Sequence, residues 1–242
     1  MYKNYFLIFF ISLSAFSQDY TQKEIYSWYD LQTGIENSTL FRGIEYVEVD
    51  RMINEKHKFF KSKDFQIGAV TYNGETFYNV PLKYNIYNDL LLVNLQQGQR
   101  NFVFRLISNK VNQFQISDHL FRYLKSDNNS DIAGFYEVIN EDGEFKIYKK
   151  HLQNMQEVRD RSIAYSEFSS VNPDYVFQFQ NNFFELGNRR ELFSKFPEFK
   201  SKIKGFYNKY KKQSRNKPDV FMKNLANEMN SLISVAANEN QE

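Results

Sequence analysis

Gly68–Leu95, GAVTYNGETFYNVPLKYNIYNDLLLVNL, constrains the fold more than any other stretch of the chain. Asn73-Gly74 lies between two runs, Phe65–Tyr72 and Glu75–Tyr87. A two-residue type I′ turn needs positive φ at both central positions, and Asn and Gly adopt it at the lowest cost. Beyond the turn, Val80, Leu82, Tyr84 and Ile86 alternate with Asn79, Lys83 and Asn85. That period of two predicts a strand with one apolar and one polar face. Pro81 has no N–H to give to a ladder, so it predicts an edge position or a bulge. Asn88-Asp89 is a second turn, and the apolar run Leu90–Leu95 reads as a strand covered on both faces. A three-stranded antiparallel meander follows, and the rest of the chain is expected to build on it.

Further strands continue the pattern. Asn101–Ile107 puts Phe102, Phe104 and Leu106 on one side, and Val111–Ile116 follows a turn at Asn109-Lys110. His119–Leu124 reads as a short strand or a helical turn. Phe135–Ile139 and Phe145–Lys149 flank Glu141-Asp142-Gly143, a hairpin with Gly available for a positive-φ position. Ser162–Phe168 and Tyr175–Phe179 flank a loop containing Asn172-Pro173-Asp174 and are expected to pair with each other; Phe183–Leu186 pairs again. Toward the N-terminus, Lys23–Leu31 is a short helix or lead-in, Phe41–Val49 a strand, and Asp50–Lys63 a polar surface connection. Lys125–Ile132 is the most loop-like segment.

At Gly187 the period changes. Asn188 and Glu191 have capping-box spacing, and the helix they open should end before Pro197. Phe199, Ile203, Phe206, Tyr207 and Tyr210 then follow three-four spacing. Pro218 opens another helix, with Asp219 in its first turn and an apolar stripe of Phe221, Leu225, Met229, Leu232 and Ile233. The expected fold is α+β: a curved antiparallel β-sheet or partly open barrel followed by two or three C-terminal helices. Residues 18–187 form the β-rich domain and 188–242 a helical segment packed on it.

Residues 1–17 read as a secretory signal: Lys3, the apolar run Phe6–Ile11, then Ala15-Phe16-Ser17 before a cut near Gln18. That run is too short to span a membrane, so no transmembrane segment is expected after its removal. The expectation is an exported protein, periplasmic or secreted and peripheral to the outer membrane. The 242 residues contain no Cys, which excludes disulfides, a thiol nucleophile, thiolate metal sites and an anchor on an N-terminal Cys. A net charge of +2 supplies no global pull toward nucleic acid or an anionic membrane.

The three histidines, His57, His119 and His151, are far apart in sequence and fit no metal spacing, so no metal and no cofactor are expected. Glu45, Glu48 and Asp50 cluster around one strand, and Glu141-Asp142 sit in a turn. There is no GxSxG, Walker loop or GxGxxG, and no catalytic residue is assigned. The most specific local feature is basic. Lys200, Lys202, Lys204, Lys209, Lys211, Lys212, Arg215 and Lys217 have no acidic residue among them. A solvated helix face has the same pattern. As a docking face, Lys204, Lys209, Lys211, Lys212 and Arg215 would meet an envelope protein or an anionic surface. Trp28, Tyr29, Tyr84 and Tyr87 could line an aromatic cleft, although aromatics in a chain with 25 Phe and 17 Tyr more commonly fill a core. The expected function is an exported, envelope-associated accessory or interaction protein without catalytic activity. The alternatives are a glycan or small-ligand binder using that cleft and a hydrolase with a carboxylate site.

Three segments carry a family resemblance: GIENSTLFRGIEY (Gly34–Tyr46), GAVTYNGETFYNVPLKYNIYNDLLLV (Gly68–Val93) and NRRELFSKFPEFKSKIKGFYNK (Asn188–Lys209), after a signal ending Phe16-Ser17-Gln18. Together they resemble a group of uncharacterised exported β-rich proteins of Bacteroidota. The resemblance covers most of the chain after the signal and implies a secreted or periplasmic β-rich protein with a helical tail. The group has no assigned activity, so no catalytic residues come with it. Where it often shows Tyr-Asp, this chain has Tyr84-Asn85, so no acid is carried over there.

Overall fold

Asn73 and Gly74 both adopt positive φ, at 52° and 82°, and close the hairpin between β2 (Gln66–Tyr72) and β3 (Glu75–Asn85). This is the expected turn. The computed structural model describes residues 38–53, 55–125, 132–161 and 163–239. The signal-like residues 1–17, the lead-in at Lys23–Leu31 and most of the loop at 125–132 lie outside the described residues.

The remaining strands are β1 (Ile44–Glu45), β4 (Leu90–Gln97), β5 (Arg100–Arg105), β6 (Val111–Ile116), β7 (His119–Lys125), β8 (Ala133–Asn140) and β9 (Lys146–Lys150). They continue with β10 (Gln153–Asp160), β11 (Ile163–Ser170), β12 (Asp174–Phe179) and β13 (Asn182–Glu185). Among the described residues, four α-helices follow: α1 (Arg189–Lys195), α2 (Lys200–Lys209), α3 (Lys211–Asn216) and α4 (Pro218–Glu239). Among the described residues, eleven strands form one open antiparallel sheet in the order β1-β5-β4-β3-β2-β6-β7-β8-β9-β12-β13, and β10–β11 stand apart as a hairpin. Two meanders, β2–β5 and β6–β9, thus meet along β2 and β6. The fold is α+β, as the periodicity predicts.

Pro81 satisfies both of its readings. Gly68 pairs with Val80 and Ala69 with Tyr78, so Asn79, at φ 58°, is the extra residue of a bulge. The β3–β4 ladder covers only Leu82–Asn85 on β3, so Pro81 lies where β3 is paired with β2 alone.

The sheet curls strongly. Tyr84 on β3 meets Phe114 on β6, Phe121 on β7 and Phe135 on β8, with ring centroids 5.4, 5.2 and 5.9 Å apart. β8 is four strands from β3 in the sheet; in a flat sheet that is roughly 19 Å. The apolar face is therefore on the inside of a roll, where Tyr72, Leu82, Leu91 and Val93 join these rings. Asp89, in the β3–β4 turn, ties the roll across its opening. It accepts hydrogen bonds from the Tyr84 phenol at 2.7 Å, the Phe135 N–H at 3.2 Å and Lys150 Nζ at 2.7 Å. Gly134 makes room for this: at φ 106°, an added Cβ would lie 1.9 Å from Asp89 Oδ2.

Asp50–Lys63 is not the surface connection its polarity predicts. Lys58, Phe59 and Phe60 are buried, Phe59 bridges to Asn85, and Phe60 N–H donates to the Tyr84 carbonyl at 2.8 Å. The segment plugs one end of the roll. Lys58 can be buried because Glu48, at 2.7 Å, and Asp50 both bind its ammonium. Within Phe41–Val49 only Ile44–Glu45 joins the sheet, and Val47 and Val49 are exposed.

The pairing of β11 also departs from expectation. It joins β10 rather than β12, from Gln153↔Ser170 to Asp160↔Ile163, while β12 lies between β9 and β13. β10 reads QNMQEVRD, with no alternation to mark it as a strand. The hairpin is largely solvent-exposed, so burial does not impose a pattern on it.

The helices end and begin where their caps place them. Asn188 and Glu191 form the reciprocal capping box at α1, and the helix stops at Phe196 before Pro197. The second amphipathic run breaks at Tyr210 into α2 and α3. Together the helices bury Leu192, Ile203, Phe206, Phe221, Leu225 and Met229 against Phe145, Ile147 and Phe177 of the sheet. Each fully buried side chain of this kind contributes about 1.5–3 kcal/mol. Asn230 fixes α4 to the β8–β9 turn. It accepts from Phe145 N–H at 2.8 Å and donates to the carbonyls of Asp142 and Phe145 at 2.7 and 2.9 Å. Among the described residues no helix is long and apolar enough to cross a membrane.

Candidate functional site

The basic run is divided over α2, α3 and the residue before α4, and all of its Lys and Arg side chains are exposed. Ile203 and Phe206 point into the core, so the charges form an outward band on helices pinned to the sheet. Among the described residues no ion pair engages Lys204, Lys209, Lys211, Lys212 or Arg215. Lys209 lies 5.0 Å from the centre of the Tyr210 ring.

Of the four aromatics expected to line a cleft, the two described residues, Tyr84 and Tyr87, do not form one. Trp28 and Tyr29 lie outside the described residues. Tyr84 is 1% exposed inside the roll, its faces taken by Phe114, Phe121 and Phe135 and its phenol by Asp89. It has no free face for a sugar. Tyr87 is exposed but packs edge-on against Phe168 of β11 at 5.2 Å.

The structure instead joins two of the three histidines. His119 Nδ1 and His151 Nε2 each donate to one oxygen of Glu137, His151 at 2.6 Å. Glu137 is buried, with Lys149 Nζ 3.7 Å away. Lys149 in turn binds Asp219 of α4 at 2.8 Å, and Asp219 accepts from the Tyr175 phenol at 2.7 Å. Phe60 covers the pair, meeting both imidazoles edge-on at 5.1 Å. Burial alone would raise the Glu137 pKa; the hydrogen bonds from His151 and His119 and the charge of Lys149 outweigh it and pull it down to about 2. Glu137 is thus an anion at neutral pH that orients two imidazoles, and both its oxygens are occupied. It forms a polar belt between the roll and the helix-covered half of the sheet.

The strand register explains this meeting. Glu137 pairs with Phe121 on β7 and Lys149 on β9, so His119 and His151 are its diagonal neighbours on one face. A correct pairing of β7, β8 and β9 would have revealed the cluster; spacing along the chain does not. Among the described residues no group of three or more His, Asp or Glu is placed to hold a metal.

A cavity of about 450 Å³ lies between β8, β12, β13 and the α3–α4 junction. Ile132, Val176, Leu186 and Met222 supply apolar lining; Tyr136, Asp174 and Glu185 are polar. Tyr136 is 4% exposed. Burial first, then the carboxylates of Asp89, Asp174 and Glu185, push its phenol up to about 12. A shallower groove follows β13 and α1, where Lys195 stacks 4.0 Å over Phe184.

Comparison of the chain with protein-family models, curated proteins and solved structures finds no match.

Proposed function

We propose that this is an exported accessory protein that acts by binding, its α2–α3 band docking on the anionic lipid surface of the cell envelope. The observation that carries this reading is the band itself: exposed Lys and Arg from Lys200 to Lys217, with no acid between them. Because the apolar side of α2 is held by the sheet, the charges stand on a fixed surface. A Lys or Arg near an anionic bilayer contributes about 1 kcal/mol, so the five central charges can supply on the order of 5 kcal/mol at low salt. Ile203 and Phe206 are buried, leaving no apolar anchor on this face, so the attraction is electrostatic and salt-sensitive. The signal-like residues 1–17 support export. The occupied oxygens of Glu137 support binding over acid–base catalysis.

The test is co-sedimentation with phosphatidylglycerol-containing vesicles against pure phosphatidylcholine. Wild type should bind the anionic vesicles and be released by salt. Charge reversal at Lys209, Lys211 and Lys212 to Glu should abolish binding with unchanged circular dichroism and melting temperature. Equal binding by the folded variant, or no binding by wild type, rejects the reading. Capture of a stoichiometric acidic protein from envelope extract, without vesicle binding, would assign the band to a protein partner instead.

A further inference from the structure

We propose that β10 is a docking edge for a second copy of this chain: the β10 strands of two copies pair antiparallel about a two-fold axis at Val158 and join their hairpins into one continuous sheet. This goes beyond the basic band, which lies on the helices. β10 and β11 pair without a break from Gln153↔Ser170 to Asp160↔Ile163, so the hairpin has neither a bulge nor a Pro to blunt its edge. The direction of its free backbone groups follows from β11. Ser166 and Phe168 turn their N–H groups away from β10, donating to the carbonyls of Arg51 at 2.9 Å and Lys56 at 3.0 Å. Their partners across the ladder, Glu157 and Met155, therefore turn their own N–H and C=O groups away from β11. Arg159 does the same by the period of two. Among the described residues none of them makes a backbone hydrogen bond on that side. An open edge of this kind is a template for a further strand.

Charge selects both the occupant and the register. Glu157 and Arg159 are exposed, lie on one face of β10 and bond to each other at 3.1 Å. In a two-fold pair an outward-turned residue must meet another outward-turned residue for the ladder to form. An axis at Glu157 or at Arg159 sets like charges face to face, which is unfavourable across a strand pair. An axis at Gln156 leaves the two charges opposite Met155 and Gln153. An axis at Val158 sets Glu157 opposite the second copy's Arg159, and Arg159 opposite the second copy's Glu157. A second copy supplies this match twice by symmetry. On the other face Val158 meets the same residue of the second copy. Tyr165, its partner on β11, lies beside it, and both are half-buried in the single chain. The pairing thus continues an apolar row across the axis. The contact, Gln156–Asp160 on each chain, is far smaller than a standard interface, so the dimer is weak and forms at high concentration.

The test is self-association of the protein without lipid, followed by small-angle X-ray scattering and NMR diffusion up to about 1 mM. Wild type should pass from monomer to dimer over that range. Glu157→Arg and Arg159→Glu each set like charges opposite one another twice, and each should weaken the dimer at least about tenfold. An equimolar mixture of the two variants should recover it as a heterodimer, and the double swap should recover it as a homodimer. Both side chains are exposed, so the variants should melt with wild type. The chain has no Cys, so Val158→Cys places a single thiol at the axis, where facing Cα atoms about 4.5 Å apart suit a disulfide. With oxidised glutathione it should crosslink to a dimer, whereas Asn154→Cys, on the same face but away from the axis, should not. Wild type that stays monomeric to about 1 mM overturns the proposal and leaves the edge to a strand of another protein. Self-association unchanged in both single variants, no recovery in their mixture, or equal crosslinking of the two Cys variants overturns it as well. No substitution touches the α2–α3 band and no lipid is present, so the vesicle reading is decided separately.

Discussion

Replacing Glu137 by Gln removes the charge at the centre of the polar belt while keeping its size. In the folded protein the carboxyl titrates at about 2, down from an ordinary 4.5. Each pKa unit is worth about 1.4 kcal/mol, so linkage assigns this group about 3 kcal/mol. The side chain is 7% exposed, so solvent screening takes little from that figure. The sign follows from the direction of the shift. The folded pKa lies below the unfolded one, so the stabilisation is fully present above about pH 4.5. It is lost as pH falls through that value and then below 2, where both folded and unfolded states carry the proton. Urea unfolding of wild type and Glu137→Gln at pH 5, 4, 3 and 2.5 measures it directly. At pH 5 the variant should be about 3 kcal/mol less stable, because two imidazoles and Lys149 then face a neutral amide. The gap should shrink to below about 1 kcal/mol by pH 2.5. A gap that stays constant over this range would refute the account, since it would locate the effect of the substitution in packing rather than in charge.

Two structural ties offer further tests, alongside the vesicle experiment. Asp89→Ala should cost about 3–5 kcal/mol, because it strands the Tyr84 phenol, the Phe135 N–H and the Lys150 ammonium together. In a double-mutant cycle with Tyr84→Phe, measured by denaturant melts, the two losses should fall short of additive by about 1 kcal/mol or more; strict additivity would show that the phenol and Asp89 do not act together. Asn230→Ala should lower stability by about 2–3 kcal/mol by leaving Phe145 N–H without its acceptor. Hydrogen exchange at Phe145 should speed up in that variant, and an unchanged rate with a change under about 0.5 kcal/mol would remove Asn230 from its place in helix docking.

Helix caps and hairpin turns were legible in the sequence because their causes are local. Asn188 and Glu191 are three residues apart, and Asn73-Gly74 needs only its own backbone preferences. The misreadings fall where burial, not local chemistry, decides. Lys58-Phe59-Phe60 looks polar in its neighbourhood, yet it plugs the roll because Glu48 and Asp50 neutralise the ammonium. The QNMQEVRD strand is invisible to periodicity because neither of its faces is covered. Tyr84 was a plausible stacking residue until the curl of the sheet closed three rings around it.

The sequence by itself determined the fold class, the meander at Gly68–Leu95, the helical C-terminus and the uncompensated run of positive charge, since each depends on residue identity and short-range spacing. Tertiary structure alone decided which polar groups meet. His119, Glu137 and His151 converge through the register of β7, β8 and β9, and Tyr136, Asp174 and Glu185 through that of β8, β9, β12 and β13. Register and curvature arise from long-range pairing, in which one residue of slip turns every side chain to the other face, so no local pattern specifies them.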